Sequence, residues 1–273
     1  MRFSKIKAKI SHGEAALCVT LHFTDPSLYE LTSRLGFDGI WMDLEHHGYS
    51  VETAAQLMRA ARVGTSDIVA RPGKGEFMRM GRLLEMGAQA IMYPRCDSAA
   101  EAAEVVRWSK FAPVGTRGFD GGNADASYTA VPIADYIAHA NRETLVIIQL
   151  EQQHAIDRAE AIAATPGVDL LMLGPADFTI LEGFPGDFEN PRIRKAMDAI
   201  ATAARNTGKH WACTAASFEK AKVAMDLGCR LIFHNADIVM IKRAMELMQT
   251  QFAELGFRFD NRLGTSSNSY LAK

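Results

Sequence analysis

Leu145-Val146-Ile147-Ile148-Gln149-Leu150-Glu151 and Asp169-Leu170-Leu171-Met172-Leu173-Gly174-Pro175-Ala176-Asp177 decide the fold. The strand read in each, Leu145–Leu150 and Asp169–Leu173, is apolar at almost every position rather than at every second one. That pattern suits a parallel strand buried on both faces. Outward from these two, six more short runs share it, near Ala16–His22, Gly39–Asp43, Asp67–Arg71, Ala90–Pro94, His210–Thr214 and Arg230–His234. Amphipathic stretches lie between them and have recognisable ends. Asp25-Pro26 and Asn190-Pro191 each offer an N-cap followed by proline at the first helical position. Ser98 with Glu101 makes a capping box, and Gly36, Gly64, Gly87, Gly208 and Gly228 stand where a left-handed C-cap wants glycine.

Strand and helix therefore alternate through eight units, which predicts an α/β fold, a (β/α)8 TIM barrel. A doubly wound open sheet is the alternative, but no Gly-x-Gly-x-x-Gly follows the first run and there is no Walker A sequence. The barrel takes residues 1–256 as a single domain. Residues 257–273 form a polar tail, expected to be mobile or to pack on a neighbouring subunit. A glycine-rich insertion, Ala112–Ala130, precedes the fifth strand at the end of the barrel away from catalysis, from where it can reach a neighbour.

The length of 273 residues suits one such core, which needs no disulfide or metal to fold. Thirty Lys and Arg against 32 Asp and Glu leave no basic excess for a phosphate backbone, so nucleic acid is not an expected partner. No apolar run approaches the roughly 20 residues that span a bilayer, and the basic N-terminus has no apolar stretch behind it. No membrane partner is expected. Cys18, Cys96, Cys213 and Cys229 are widely spaced and read as buried thiols in a reducing cytoplasm.

In a barrel of this kind, chemistry sits at the C-terminal ends of the strands. Glu151 and Asp177 follow adjacent strands. They read as two oxygen ligands for a hard divalent cation (Mg2+ or Mn2+), or singly as helix caps. Gly174-Pro175-Ala176-Asp177 is either a tight turn or a place where backbone N–H groups meet a substrate carboxylate. Arg71 ends an apolar strand and needs an acid or a ligand. Glu45 and Glu151 are the acids in reach, and beside a metal it would stabilise an enolate. His46 and His47 supply a proton carrier, with Asp43 or Glu85 to fix its tautomer, although one of the two histidines is expected to be structural. Arg95 would pair with Asp97 or Glu101, or meet a second substrate carboxylate. His12, His139 and His154 read as surface or capping residues, while His22 and His234 draw notice only because they end strands. No lysine ends a strand where a Schiff base would need it, since Lys74 and Lys209 fall in loop and turn contexts.

These residues carry a resemblance. Gly36-Phe37-Asp38 leading to Asp43-Leu44-Glu45-His46, then Arg71, then Leu84-Glu85-Met86-Gly87-Ala88-Gln89, resembles the HpcH/HpaI family of class II pyruvate aldolases. Pro113-Val114-Gly115-Thr116-Arg117-Gly118, Gln149-Leu150-Glu151 and Gly174-Pro175-Ala176-Asp177 continue the order, from about Ala15 to Met248. The resemblance implies a homo-oligomer, a hexamer built as a trimer of dimers, whose last helix packs on a partner subunit. It implies Mg2+, Mn2+ or a similar ion such as Co2+ on Glu151 and Asp177, with Gln149 beside it. His46 is then the acid/base group, Arg71 holds the keto or enolate oxygen, and Gly174, Pro175 and Ala176 take the pyruvate carboxylate.

The implied activity is reversible cleavage of a 4-hydroxy-2-oxo acid through a metal-bound enolate. The products are an aldehyde and pyruvate, or a close 2-oxo acid such as hydroxypyruvate, as in aromatic or sugar acid catabolism. Two alternatives use the same barrel: a citrate lyase β-like lyase acting on a coenzyme A thioester, and a non-catalytic binding module whose Glu151 and Asp177 are only structural. Glu85 stands where many relatives have Asp, one methylene shorter. His47, His234-Asn235 and Cys18-Val19-Thr20 also depart from the usual pattern, and they bear on which aldehyde binds.

Overall fold

The computed structural model describes residues 2–263. Eight parallel strands close into a barrel in sequence order: β1 Ala16–Leu21, β2 Gly39–Asp43, β3 Asp67–Arg71, β4 Ala90–Tyr93, β5 Leu145–Leu150, β6 Leu170–Leu173, β7 His210–Thr214 and β8 Leu231–Ala236. The apolar runs match them within two residues at every end.

Two apolar layers explain why these strands are not alternating. Leu145 and Ile147 of β5, Leu170 and Met172 of β6, Trp41 of β2 and Phe233 of β8 fill the barrel interior. Their neighbours Val146, Ile148, Leu150, Leu171 and Leu173 face the outer helices. Every second residue is thus inward, and this parity runs on past the last apolar position of each strand. Inward parity places His22, Asp43, Arg71, Gln149, Glu151, Gly174, Thr214 and Asn235 at the barrel mouth.

Helix starts follow their caps. The Asp25 carboxylate accepts from the Ser27 N–H at 2.7 Å, and Asn190 Oδ1 from the Arg192 N–H at 3.1 Å. The capping box is half formed. Ser98 Oγ accepts from the Glu101 N–H, but Glu101 turns to the Asp97 N–H and the Tyr93 hydroxyl. Gly36, Gly87, Gly208 and Gly228 adopt positive φ as C-cap glycines do, whereas Gly64 does not. Gly64 is small because a Cβ there would lie 2.3 Å from the Ser33 carbonyl carbon.

One element has no counterpart in the strand–helix reading. The helix Lys5–Ser11 closes the bottom of the barrel with Ile6 and Ile10. The Asp67 carboxylate, at the start of β3, holds it by accepting from Ser4 Oγ at 2.6 Å, the Ile6 N–H at 2.9 Å and the Lys5 N–H at 3.1 Å. Gly39 is the contact point, where a Cβ would meet Cys18 Sγ at 2.7 Å and Ile6 Cδ1 at 2.8 Å. No helix among the described residues is long and apolar enough to cross a membrane. Residues 257–263 carry no helix or strand, and the rest of the expected tail, 264–273, lies outside the described residues.

Gly39→Ala overpacks this contact. We expect it to cost about 1–3 kcal/mol and to lower the melting temperature by several degrees in a circular dichroism melt. A melting temperature equal to the parent's would show that the helix does not press on β2.

Candidate active site

A cavity of about 390 Å³ opens at the C-terminal ends of the strands. Asp43, Arg71, Gln149, Glu151, Asp177 and the Gly174-Pro175-Ala176 turn all line it. So do His22, noticed only as a strand end, Thr20 and Asn235, noticed as departures from the family pattern, and Trp41, Thr214 and Phe233, which the strand-end motifs did not single out. Inward parity was the signal that could have found them.

The central contact follows from register. Asp43 and Arg71 are paired across β2 and β3. Their side chains leave the same face and meet as a bidentate ion pair, Arg71 Nε to Asp43 Oδ1 and Nη2 to Oδ2, both 2.8 Å. Burial alone would raise the Asp43 carboxyl, but the hydrogen bonds and charge of Arg71 outweigh it and hold the group below the usual carboxylate range. The guanidinium stacks over Trp41 at 4.6 Å and reaches Gln149 Oε1 with Nη1 at 3.4 Å. Of its expected partners, Glu45 Oε2 stands 3.4 Å from Nε, while Glu151 acts on Arg71 only as a nearby charge. Asp43 is therefore committed to Arg71 and to the Glu45 N–H, and does not support His46.

Glu151 is almost fully buried. Burial first, then the facing Asp177, push its carboxyl up to about 8, against the opposing pull of Arg71. Oε2 accepts the Arg95 N–H at 3.0 Å. Oε1 lies against bare glycine, because a Cβ on Gly174 would sit 2.0 Å from it. Glycine is required here for close approach, since its φ of −94° is open to any residue. A buried carboxylate facing a second carboxylate is costly unless a cation joins them. Among the described residues no group of three His, Cys, Asp or Glu side chains could hold a metal. The pair Glu151 and Asp177, with open cavity beside them, instead fits a hard divalent ion whose remaining ligands are water and substrate oxygens.

Arg95 departs from expectation. It bonds Glu45 Oε1 through Nη2 at 2.7 Å, not Asp97 or Glu101, which are taken by Lys74. Its φ of 46° is left-handed, a costly conformation for arginine. That backbone turns its N–H to Glu151, while its carbonyl accepts from Lys74 Nζ at 2.6 Å.

The histidines separate by parity. His46 is outside the cavity lining, half exposed, with Nε2 3.6 Å from Glu45 Oε2. His47 lies 3.9 Å from Asp43 Oδ2, and its ring stands 4.2 Å from that of His22, a cavity residue. Burial and then His47 lower the pKa of His22. His234 turns away to the Ala215 carbonyl, at 2.7 Å. Asn235 turns inward at a bulge of β8, where one β1 residue, Val19, faces two of β8, His234 and Asn235. Its φ of 65° suits asparagine better than most residues.

Glu85 is not brought to His46 within this chain. It ends the helix Phe77–Met86, which runs back from β3, so it lies at the opposite end of the barrel. Its charged neighbours there are Arg117, Asp120, Arg82 and Asp125, and burial raises its carboxyl.

A closed parallel barrel with acids and a buried arginine gathered at its C-terminal mouth defines an α/β-barrel enzyme. The family model "HpcH/HpaI aldolase/citrate lyase" matches residues 19–223, and the chain belongs to that family. It is therefore a lyase. A hydroxypyruvate/pyruvate aldolase of Delftia acidovorans is 31% identical over 239 residues, covering 87% of this chain and 88% of the relative. A 4-hydroxy-2-oxo-heptane-1,7-dioate aldolase of Escherichia coli is 28% identical over 250 residues, covering 91% and 95%. Among solved structures, an HpcH/HpaI aldolase/citrate lyase family protein from Burkholderia cenocepacia superposes with a TM-score of 0.86 at 29% identity, over 92% of this chain and 100% of that one.

Two expectations follow from Glu151. Gly174→Ala should weaken Mn2+ binding at least about tenfold in a calorimetric titration while the fold is retained, because Glu151 must move from the added methyl. In the parent, a proton competes with the cation below the raised pKa. Mn2+ affinity should then rise with pH up to about 8 and level off above it. An affinity that stays flat between pH 6 and pH 8 would contradict the assignment of Glu151.

Proposed function

We propose that this lyase reversibly cleaves a 4-hydroxy-2-oxo acid to pyruvate, or to hydroxypyruvate, and an aldehyde. The observation that carries the reading is the placement of Arg71 and the facing carboxylates Glu151 and Asp177 in one cavity, with the Gly174-Pro175-Ala176 turn beside them. The names of the relatives from Delftia acidovorans and Escherichia coli agree with it.

Glu151 and Asp177 would hold Mg2+, Mn2+ or a similar ion. Such an ion supplies a Lewis acid that polarises the keto group and lowers the cost of the enolate. The rest falls to the chain. The N–H groups of Ala176 and Asp177, at the start of the helix Pro175–Leu181, meet the substrate carboxylate, since Pro175 has none to offer. Arg71, fixed by Asp43, directs its remaining N–H donors at the keto oxygen, where charge develops as the C3–C4 bond breaks. His46 takes the C4 hydroxyl proton through water, given its place just outside the lining.

The coenzyme A reading needs free cations for phosphate groups. Of the cavity's outer cations, Lys220 is paired with Glu189 and Arg194 with Asp198, so we rank that reading second.

Assembly belongs to the same proposal. The last described helix, Asp237–Ala253, buries only Asp237 and Val239 and exposes Ile241, Met245 and Met248 among others. We propose that this face packs on a second copy in a homo-oligomer, as in a hexamer.

The test is a pyruvate-dependent aldol assay with purified protein. Chelation should abolish turnover and Mn2+ should restore it. Arg71→Ala should lower turnover about a hundredfold or more. Full turnover in chelator, or an Arg71→Ala protein with parental turnover, would sink the reading.

A further inference from the structure

The cavity is larger than the proposed chemistry needs. Its volume of about 390 Å³ lies within the range of roughly 300–1,000 Å³ that takes drug-sized ligands, whereas pyruvate has only three carbons. Its lining is also divided. Asp43, Arg71, Gln149, Glu151 and Asp177 lie at the ends of β2, β3, β5 and β6. Another part of the wall is Phe188, Ile193, Met197 and Val223, apolar side chains interspersed with Glu189, Arg194 and Lys220.

The helix ring explains this second part. Pro191–Asn206 packs closely on Ala159–Ala163 along one flank and only weakly on Phe218–Asp226 along the other. Ile193 and Met197 from the first helix and Val223 from the last therefore border a crevice continuous with the strand-end cavity. Two cations stand at its outer edge, and both are already matched. Lys220 Nζ bonds Glu189 at 2.5 Å, and Arg194 Nε bonds Asp198 at 2.9 Å.

We propose that this crevice is the acceptor subsite, and that the aldehyde it takes carries an uncharged apolar tail, either a medium alkyl chain or an aromatic ring. The inference rests on the aldolase reading and names the substrate class for it. In the synthetic direction, pyruvate C3 loses a proton, its carbon forms the bond to the aldehyde carbonyl carbon, and the former carbonyl oxygen gains a proton. The tail undergoes no chemistry and acts only through burial. Each methylene taken from water into such a wall is worth up to about fourfold. A tail carboxylate would instead have to give up its water beside cations that are already paired.

The test uses the Mn2+-loaded full-length enzyme and two readouts. Deuterium exchange at pyruvate C3, followed by NMR without aldehyde, reports the enolate half alone. The kcat/KM for propanal, hexanal and succinic semialdehyde, each with saturating pyruvate, reports the acceptor half. We expect exchange to occur, with hexanal exceeding both propanal and succinic semialdehyde at least tenfold. Met197→Trp and Val223→Trp, which fill the crevice, should each lower the hexanal-to-propanal ratio at least tenfold. Exchange with no rise from propanal to hexanal, a preference for succinic semialdehyde, or an unchanged ratio in both variants would overturn the proposal and leave the aldolase reading standing. Absence of exchange would overturn that reading and the subsite with it.

Discussion

Asp43 and Arg71 form the contact on which the rest of the mouth depends. Four buried charges (Asp43, Glu45, Arg71 and Glu151) converge with the exposed Arg95 where the barrel opens, and burying any of the four alone would be prohibitive. The β2–β3 register sets the first two opposite each other, and the fork of the guanidinium matches the carboxylate in two bonds. The outer pair follows from this one. Glu45 sits between Arg71 and Arg95, and Arg95 then holds Glu151 through its backbone. The ladder alternates in sign until it reaches Glu151, which faces Asp177 instead of a base. A paired row of charges thus ends in two facing carboxylates, and this is where the proposed cation would bind.

Rigidity at that point comes from small features. Gly174 lets Glu151 lie against the strand-to-helix turn, and the strained backbone of Arg95 turns an N–H toward it. Strained non-glycine backbone persists only where surrounding contacts over-determine it. Here the carbonyl, the amide and the side chain of Arg95 are each tied to a different partner. Asn235, inward by parity, shows the same economy at a bulge of β8, while His234 turns outward to the Ala215 carbonyl.

Much of this was legible in the residues. The strand limits follow from the apolar runs, and Asp25-Pro26 and Asn190-Pro191 mark real helix starts. Arg71, Gln149, Glu151, Asp177 and Asp43 line one cavity as the strand-end reading required. The histidines were less legible. His46 and His47 stand out in the sequence because they are consecutive, but His22 has the inward parity and occupies the wall. The bottom helix Lys5–Ser11 was invisible because its partner, Asp67, lies more than fifty residues away and resembles any strand-start acid.

By itself the sequence determined the architecture and the chemical inventory. A doubly buried parallel strand must be apolar throughout, and a helix must be capped, and both are local demands that leave local marks. Only the tertiary structure decided which charges meet. Glu45 and Glu151 were the acids expected to meet Arg71, yet closure of the barrel set Asp43 opposite it by register, with Glu45 second. Glu85 is close to the mouth motifs in chain order, yet the return of its helix carries it to the opposite end. Pairing is a property of distance in three dimensions, and eight strands bent into a ring bring together residues whose separation along the chain says nothing of it.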